Sequence, residues 1–385
     1  MRASYLVFGQ PLIEEAEIEE VVKSLRAAWL GTGPKVAAFE KLVAECKGVK
    51  HAVAVNSCTA GLHLSCIAVG LEPGDEVIVP AMTFCASVNA VIHAGATPVL
   101  VDVEPETFNI DPEQVRRKVS SRTKAIMPVH FAGRACNMDA LLALAREHDL
   151  KIIEDCAHGI ETEYHGRKAG TFGDCGVLSF YATKNIVTGE GGMVLTNNPE
   201  IAARIKVLAL HGMSQDAWKR FSDAGYKHYD VVEIGFKYNM MDLQAAIGIH
   251  QIKRVEKYWQ RRLEIWKRYN QAFADLPVTL PAPLEDDSRH ALHLYTLLID
   301  KDRAPVDRDQ FLGALHRRNI GTGVHYRAIP IHLVYQKRFG WKPNDYPNAH
   351  AIGESTVSLP LSAKLTDEDS QDVIAAVRQV LTHGS

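Results

Sequence analysis

Seven short, almost unbroken apolar runs, spaced along the first two hundred residues, restrict this chain more than any other feature. They are 51–57 (HAVAVNS), 75–80 (DEVIVP), 97–103 (TPVLVDV), 124–130 (KAIMPVH), 151–157 (KIIEDCA), 175–181 (CGVLSFY) and 191–197 (GGMVLTN). Strands this apolar on both alternating faces are covered on both sides, as in a mostly parallel sheet. The spacing predicts helices over 59–70, 85–95 and 137–149, the last carrying Leu141, Leu142, Leu144 and Ala145 at helical intervals. A seven-stranded, mostly parallel α/β domain with helices on both faces follows.

One core does not organise 385 residues, because single cores stop growing near ~250–300. The expected division is a large domain over 1–250, with its N-terminal segment, and a smaller α+β domain over 251–385. Residues 243–273 read as one long helix connecting the two. Ile252, Val255, Trp259, Leu263, Trp266 and Phe273 form its apolar stripe, and Lys253, Arg254, Lys257, Arg261, Arg262, Lys267 and Arg268 its solvated face. The Pro-rich stretch 277–283 then breaks the chain. After it the pattern predicts a strand over 292–299, a helix over 306–318, a strand near 320–326 and a last helix. Thr366 and Asp369 supply a capping box for that last helix.

Charge removes several functions. A net charge of −3 gives nucleic acid or an anionic membrane no electrostatic pull. No apolar run reaches the ~18 residues of a membrane span, and the opening MRASYLVFGQ lacks a signal-peptide core, so a cytoplasmic protein is expected. Seven cysteines lie scattered without a C-x-x-C pair, and the 17 histidines show no ligand-pair spacing. Reduced thiols and no metal are expected.

Three segments, each following an expected strand, carry chemistry. Ligands of open α/β sheets sit beyond the carboxyl ends of the strands, so these segments can converge. Asn56-Ser57-Cys58-Thr59-Ala60-Gly61 starts a helix. Its free N–H groups suit a phosphate, and an ordinary Ser/Thr cap suits it equally. Glu154-Asp155-Cys156-Ala157-His158 places a carboxylate at a strand end, where it needs a cationic partner or caps a turn. Ser179-Phe180-Tyr181-Ala182-Thr183-Lys184-Asn185, followed by Thr188-Gly189-Glu190-Gly191-Gly192, sets a lysine among small residues. Burial there lowers a lysine pKa and makes it a Schiff-base former and proton carrier. A phosphate cradle, then an Asp, then a Lys about 30 residues on together describe a pyridoxal phosphate (PLP) site, with Lys184 and Asp155 as the catalytic pair.

The string S-F-Y-A-T-K-N-x-x-T-G-E-G-G-M closely resembles the lysine motif of the DegT family of nucleotide-sugar aminotransferases. The resemblance continues in Trp29-Leu30-Gly31-Thr32-Gly33-Pro34, Thr59-Ala60-Gly61-Leu62-His63-Leu64, Pro80-Ala81-Met82-Thr83-Phe84 and Gly235-Phe236-Lys237-Tyr238-Asn239. It ends in Val324-His325-Tyr326 and Ser358-Leu359-Pro360-Leu361. It implies a fold-type I homodimer with shared active sites. Phe84 is then the aromatic on the cofactor ring, Thr59, Ala60 and Ser179 hold the phosphate, and His158 lies near the cofactor. Asn239 reaches the phosphate of the other subunit, because Gly235–Asp242 has no place in its own sheet. Thr32, Lys237, His325 and Tyr326 face the sugar. The sequence departs from the family pattern at Cys58, where Gly is usual, and at Met241, where Thr or Ser is usual.

Family members with His at the lysine position dehydrate, so Lys184 implies transamination. The run A-T-K-N-x-x-T-G-E-G-G resembles members that aminate 4-keto sugars. The expected reaction moves an amino group from glutamate to a nucleotide-linked keto sugar. The alternatives are a transaminase of a free cyclitol or other ketone, and a non-catalytic regulatory homologue. Lys35, Arg220, Lys237 and Arg327 are the candidate cations for a nucleotide diphosphate, and ordinary surface charge accounts for each equally well.

Overall fold

All seven expected strands form, and they join one sheet. The computed structural model describes residues 2–214 and 229–384. Its strands are β1 (His51–Val55), β2 (Glu76–Pro80), β3 (Thr97–Val101), β4 (Thr123–Ile126) and β5 (Lys151–Cys156), then a two-stranded ribbon β6 (Glu163–Tyr164) and β7 (Arg167–Lys168), then β8 (Cys175–Ser179) and β9 (Gly192–Thr196). The large sheet has the order β1-β9-β8-β5-β4-β2-β3, and β9 alone runs against its neighbours. Most strands stop short of their expected C-terminal ends. Ser57, His130 and Tyr181 instead leave the ladder to build the loops beyond it.

Alternate residues of each strand enter cores on opposite faces, as period-2 geometry requires. Val53, Val55 and Val177 pack with helices α3 (Cys58–Ala68) and α4 (Cys85–His93). Ala52, Ala54 and Leu178 pack instead with Phe39 and Val43 from the other face. Those two belong to α2 (Pro34–Lys47), which follows α1 (Glu15–Arg26). Ile126 and Ile152 meet Val115 of α5 (Pro112–Lys118) and Leu141 and Leu144 of α6 (Met138–His148). Helix α7 (Pro199–Ala209) closes the first face through Ile205 and Leu208.

The long helix of 243–273 is two helices, α8 (Asp242–Ile252) and α9 (Val255–Phe273). No Gly or Pro marks the break. It lies at Arg254, whose φ of −108° leaves the helical range and whose side chain pairs with Glu14 and the buried Glu17. Breaking there resets the face of α9. Tyr258, Arg262, Ile265, Trp266, Tyr269 and Phe273 are buried, whereas Val255, Trp259 and Leu263 are only half-buried. Arg262, expected in solvent, is ion-paired with the equally buried Glu161.

A second sheet, β10 (Val278–Thr279), β11 (Tyr295–Ile299) and β12 (Thr356–Leu359), is antiparallel and packs with α9, α10 (Arg308–Arg317) and α13 (Asp367–His383). The strand expected near 320–326 is reduced to isolated bridges, Leu6 to Ile320 and Gly323 to Ser358, and β12 takes its place. Between them α11 (Leu333–Phe339) and α12 (Pro347–Ser355) return to the first core through Tyr335, Ala349 and Ile352. Residues 328–352 thus pack with the large sheet's helices. The Thr366 capping box forms in both directions, at 2.9 and 3.0 Å. Among the described residues no helix is long and apolar enough to cross a membrane.

Candidate active site

Helix α3 begins where β1 ends, and Ser57 is its cap: the hydroxyl accepts from the Ala60 N–H at 3.1 Å. The Cys58 and Thr59 N–H groups have no acceptor among the described residues, so a helix start with open donors faces outward. Ala60, one of the expected phosphate residues, has its N–H engaged by the cap, while Thr59 is exposed. Gly192 pairs with Ser179 across β8 and β9, and a Cβ on it would stand 2.6 Å from the Ser57 carbonyl. Only glycine lets β9 bring Ser179 beside this loop. The Cys58 thiol turns inward, 3.8 Å from the Val177 carbonyl, so the loop keeps its course with a cysteine in place of glycine.

Strand β5 delivers two neighbouring carboxylates to opposite faces. Asp155 is 4% exposed; one oxygen accepts from Ser87 Oγ at 2.8 Å and the other from the Ala157 N–H at 3.0 Å. Burial raises its pKa against these donors and Lys184, so a cationic group set against this carboxylate would favour its ionised form. Glu154 is fully buried, yet His130 Nε2 at 3.1 Å and the N–H groups of Gly170, Phe172 and Gly173 at 2.7–2.8 Å outweigh its desolvation. His130, Glu154 and Cys156 bring metal-ligand atoms within 4.8 Å of one another. Their capacity is already engaged: four donors saturate Glu154, and His130 Nδ1 accepts from the Cys136 N–H at 3.1 Å.

Lys184 lies in the turn after β8, half-buried, and its Nζ has no hydrogen bond or ion pair among the described residues. Burial lowers its pKa to about 8, against the pull of Cys58 and Asp155. The C-terminal part of the chain covers it. His293 and His325 both feel the Lys184 charge, and burial holds both neutral, His325 pushed down to about 3. His325 Nδ1 is 2.8 Å from Ser358 Oγ, and Tyr326 reaches His158 at 3.0 Å. Phe84 is 55% exposed although Ala81, Met82 and Thr83 before it are buried, and its ring lies 5.6 Å from that of Tyr326. Ser87 and His293 were not foreseen; neither sits in a motif.

The remaining expected residues lie apart from this cluster. Asn239 donates to Thr32 Oγ1 at 2.7 Å, and that hydroxyl donates to the Met240 carbonyl at 2.6 Å. The Gly235–Asp242 stretch does find a place on its own sheet, since Asn239 bridges to Val55 and Asn56 N–H donates to the Tyr238 carbonyl. Met241, the other departure from pattern, caps α8 without a side-chain oxygen, while Asp242 caps α2 through the Lys35 and Val36 N–H groups. Lys237 and Arg327 are exposed, Lys35 is engaged by Glu20, and Arg220 lies outside the described residues.

An unpaired lysine facing a buried, cation-seeking aspartate, with a helix start open to phosphate, at the carboxyl edge of a doubly wound sheet, defines an enzyme of the PLP class. Residues 11–378 match the DegT/DnrJ/EryC1/StrS aminotransferase family, and the chain belongs to it. SpsC, a spore coat polysaccharide biosynthesis protein of Bacillus subtilis, is 49% identical over 381 residues, spanning 99% of this chain and 98% of that one. The PMP form of a Streptococcus pneumoniae protein assigned to the sugar aminotransferases superposes with a TM-score of 0.91 at 33% identity, over 98% and 99% of the two chains. Helicobacter pylori PseC, an aminotransferase of pseudoaminic acid biosynthesis, does so with 0.90 at 29%, also over 98% and 99%. The protein is accordingly a PLP-dependent transaminase of the sugar aminotransferase type.

Proposed function

We propose that the enzyme transfers the amino group of glutamate to a nucleotide-linked keto sugar, specifically a 4-keto-6-deoxy sugar, as a homodimer. The observation that carries the chemistry is the placing of Lys184, lowered to about 8, within reach of the charge of the buried Asp155. The 4-keto preference rests on the T-K-N-x-x-T-G-E-G-G run and family resemblance.

The residues fit the cofactor. When bound, PLP supplies an electron-withdrawing ring that stabilises negative charge on the carbon bearing the transferred nitrogen. Asp155, oriented by Ser87, would face the ring nitrogen and favour its protonated form. Phe84 would pack against the ring, and Ser179 with the Cys58 and Thr59 N–H groups would take the phosphate. Lys184 would be the residue that anchors the cofactor, and its amine is placed to hold or move a proton at the reacting carbon. His158, His325 and Tyr326 form the wall above, exclude water and face the sugar.

The test is a panel of UDP-, GDP- and dTDP-linked 4-keto-6-deoxyhexoses and 3-keto sugars with glutamate as donor, read by mass of the aminated product. Borohydride reduction of the loaded enzyme should fix the cofactor's mass on Lys184. Reaction only with 3-keto sugars, or only with non-nucleotide ketones, overturns the substrate reading and leaves the transaminase intact.

A further inference from the structure

Tyr326, His158 and Ala132 form a chain of hydrogen bonds whose direction can be assigned from one end. Ala132 N–H lies 3.1 Å from His158 Nδ1, and a backbone N–H can only donate. His158 Nδ1 therefore accepts. Burial keeps this ring neutral, so its single proton is on Nε2. That nitrogen lies 3.0 Å from the Tyr326 hydroxyl and donates to it. The Tyr326 oxygen is then an acceptor inward, and its own hydrogen must point elsewhere. Among the described residues the hydroxyl has no second partner.

The start of the chain is held in an unusual conformation. Ala132 has φ +54°, a left-handed backbone that a non-glycine residue adopts at a cost, and Gly133 follows at φ +98°. The turn is fixed on three sides. Ala291 N–H donates to the Gly133 carbonyl at 2.8 Å, Thr162 Oγ1 to the same carbonyl at 2.6 Å, and His293 N–H to the Ala132 carbonyl at 3.0 Å. A Cβ at Gly133 would stand 2.7 Å from that of Ala291. The conformation aims the Ala132 N–H at His158.

His293 packs 4.4 Å from the His158 ring and carries the opposite tautomer. Both Asn185 amide hydrogens are engaged, by Glu161 at 2.8 Å and the Ala291 carbonyl at 2.9 Å. The Asn185 oxygen thus faces His293 Nδ1 at 3.0 Å, which must be the protonated nitrogen. The wall beside Lys184 therefore presents a hydroxyl donor from Tyr326 and an acceptor nitrogen from His293.

We propose that Tyr326 is a substrate-binding residue that donates its hydroxyl hydrogen to an oxygen of the keto sugar, and that His158 is the positioning residue that keeps it a donor. The inference rests on the sugar-transaminase reading above. Tyr326 lies close enough to Asp155 and Cys58 to feel their charge, and its ring neighbours that of Phe84, so the donor stands among the residues that would hold the cofactor and its acceptor.

The experiment separates the two half-reactions. Tyr326→Phe removes only the hydroxyl. The kcat/KM for the best keto sugar of the panel should fall roughly tenfold or more beyond any fall in conversion of the bound cofactor by glutamate, followed by absorbance. His158→Met should cause part of that loss. His158→Gln should recover it, because a glutamine amide can accept from Ala132 and donate to Tyr326 as the imidazole does. An unchanged keto-sugar rate in Tyr326→Phe overturns the proposal. So does a matched fall in both half-reactions with a shifted cofactor absorbance, which would assign the donor to the cofactor's own ring oxygen. Equal loss in both His158 variants would overturn the positioning role. A wild-type enzyme that loses its cofactor band with glutamate yet aminates no sugar of the panel would instead overturn the parent reading.

Discussion

Desolvation favours the neutral form of both Lys184 and Asp155: it lowers the amine to about 8 and raises the carboxyl. The nucleophile is the neutral amine, and an ordinary lysine near 10.4 has little of it at neutral pH. The rate at which cofactor-free protein captures PLP covalently should therefore rise about tenfold per pH unit up to about 8 and level off above. Stopped-flow absorbance from pH 6 to 10 reads this, and a rate still climbing at pH 10 would show an unperturbed lysine. Asp155→Asn keeps the shape and removes the charge, so the glutamate half-reaction should slow by about 100-fold or more; an unchanged rate would leave Asp155 structural. Both residues could be picked out in the sequence because Asp155 lies at the end of one apolar strand and Lys184 in the loop after another, where sheet topology gives chemistry its place. Ser87 and His293 could not. Ser87 is an internal residue of a helix, and His293 follows a Pro-rich break, and only tertiary packing brings either to the site.

At the level of elements, the sheet was readable strand by strand, because burial on both faces leaves a local apolar signature. The break between α8 and α9 was not, since its cause is remote: Arg254 is fixed by Glu14 and Glu17 from the other end of the sequence. The reset face turns Arg262 inward onto Glu161, whose other oxygen accepts from Asn185, the neighbour of Lys184. This ties the connecting helix to the lysine turn through buried charge. Removing one partner leaves the other unpaired, so Arg262→Leu should destabilise by about 3–5 kcal/mol. The double variant Glu161→Leu with Arg262→Leu should recover part of that loss in urea unfolding. Purely additive losses would mean that the two side chains contribute independently, and the apolar residues of α9, Trp266 and Tyr269 among them, would then hold the helix.

At the scale of the whole molecule, the chain on its own exposes several large apolar side chains. Trp29, Leu30, Tyr181, Ile234 and Met241 are all exposed, Ile234 at 91%. Trp29 and Leu30 lie next to Thr32, which Asn239 binds, and Ile234 and Met241 lie at the two ends of the stretch that family resemblance sends across a two-fold axis. Exposed apolar surface of this kind suits an interface, and a dimer with an isologous contact would bury it twice. We expect a dimer at micromolar concentration by analytical ultracentrifugation, and Ile234→Glu should weaken it. If Asn239 reaches the partner's phosphate, Asn239→Ala should lose cofactor more readily while remaining dimeric, because phosphate binding is then linked to assembly. Co-refolding Asn239→Ala with Lys184→Ala gives the decisive comparison. In a mixed dimer one site carries both lesions and the other neither, so activity should return above that of either variant alone. Proven subunit exchange without recovery would place Asn239 in its own subunit's site, where its backbone already bridges to Val55 at the edge of the sheet.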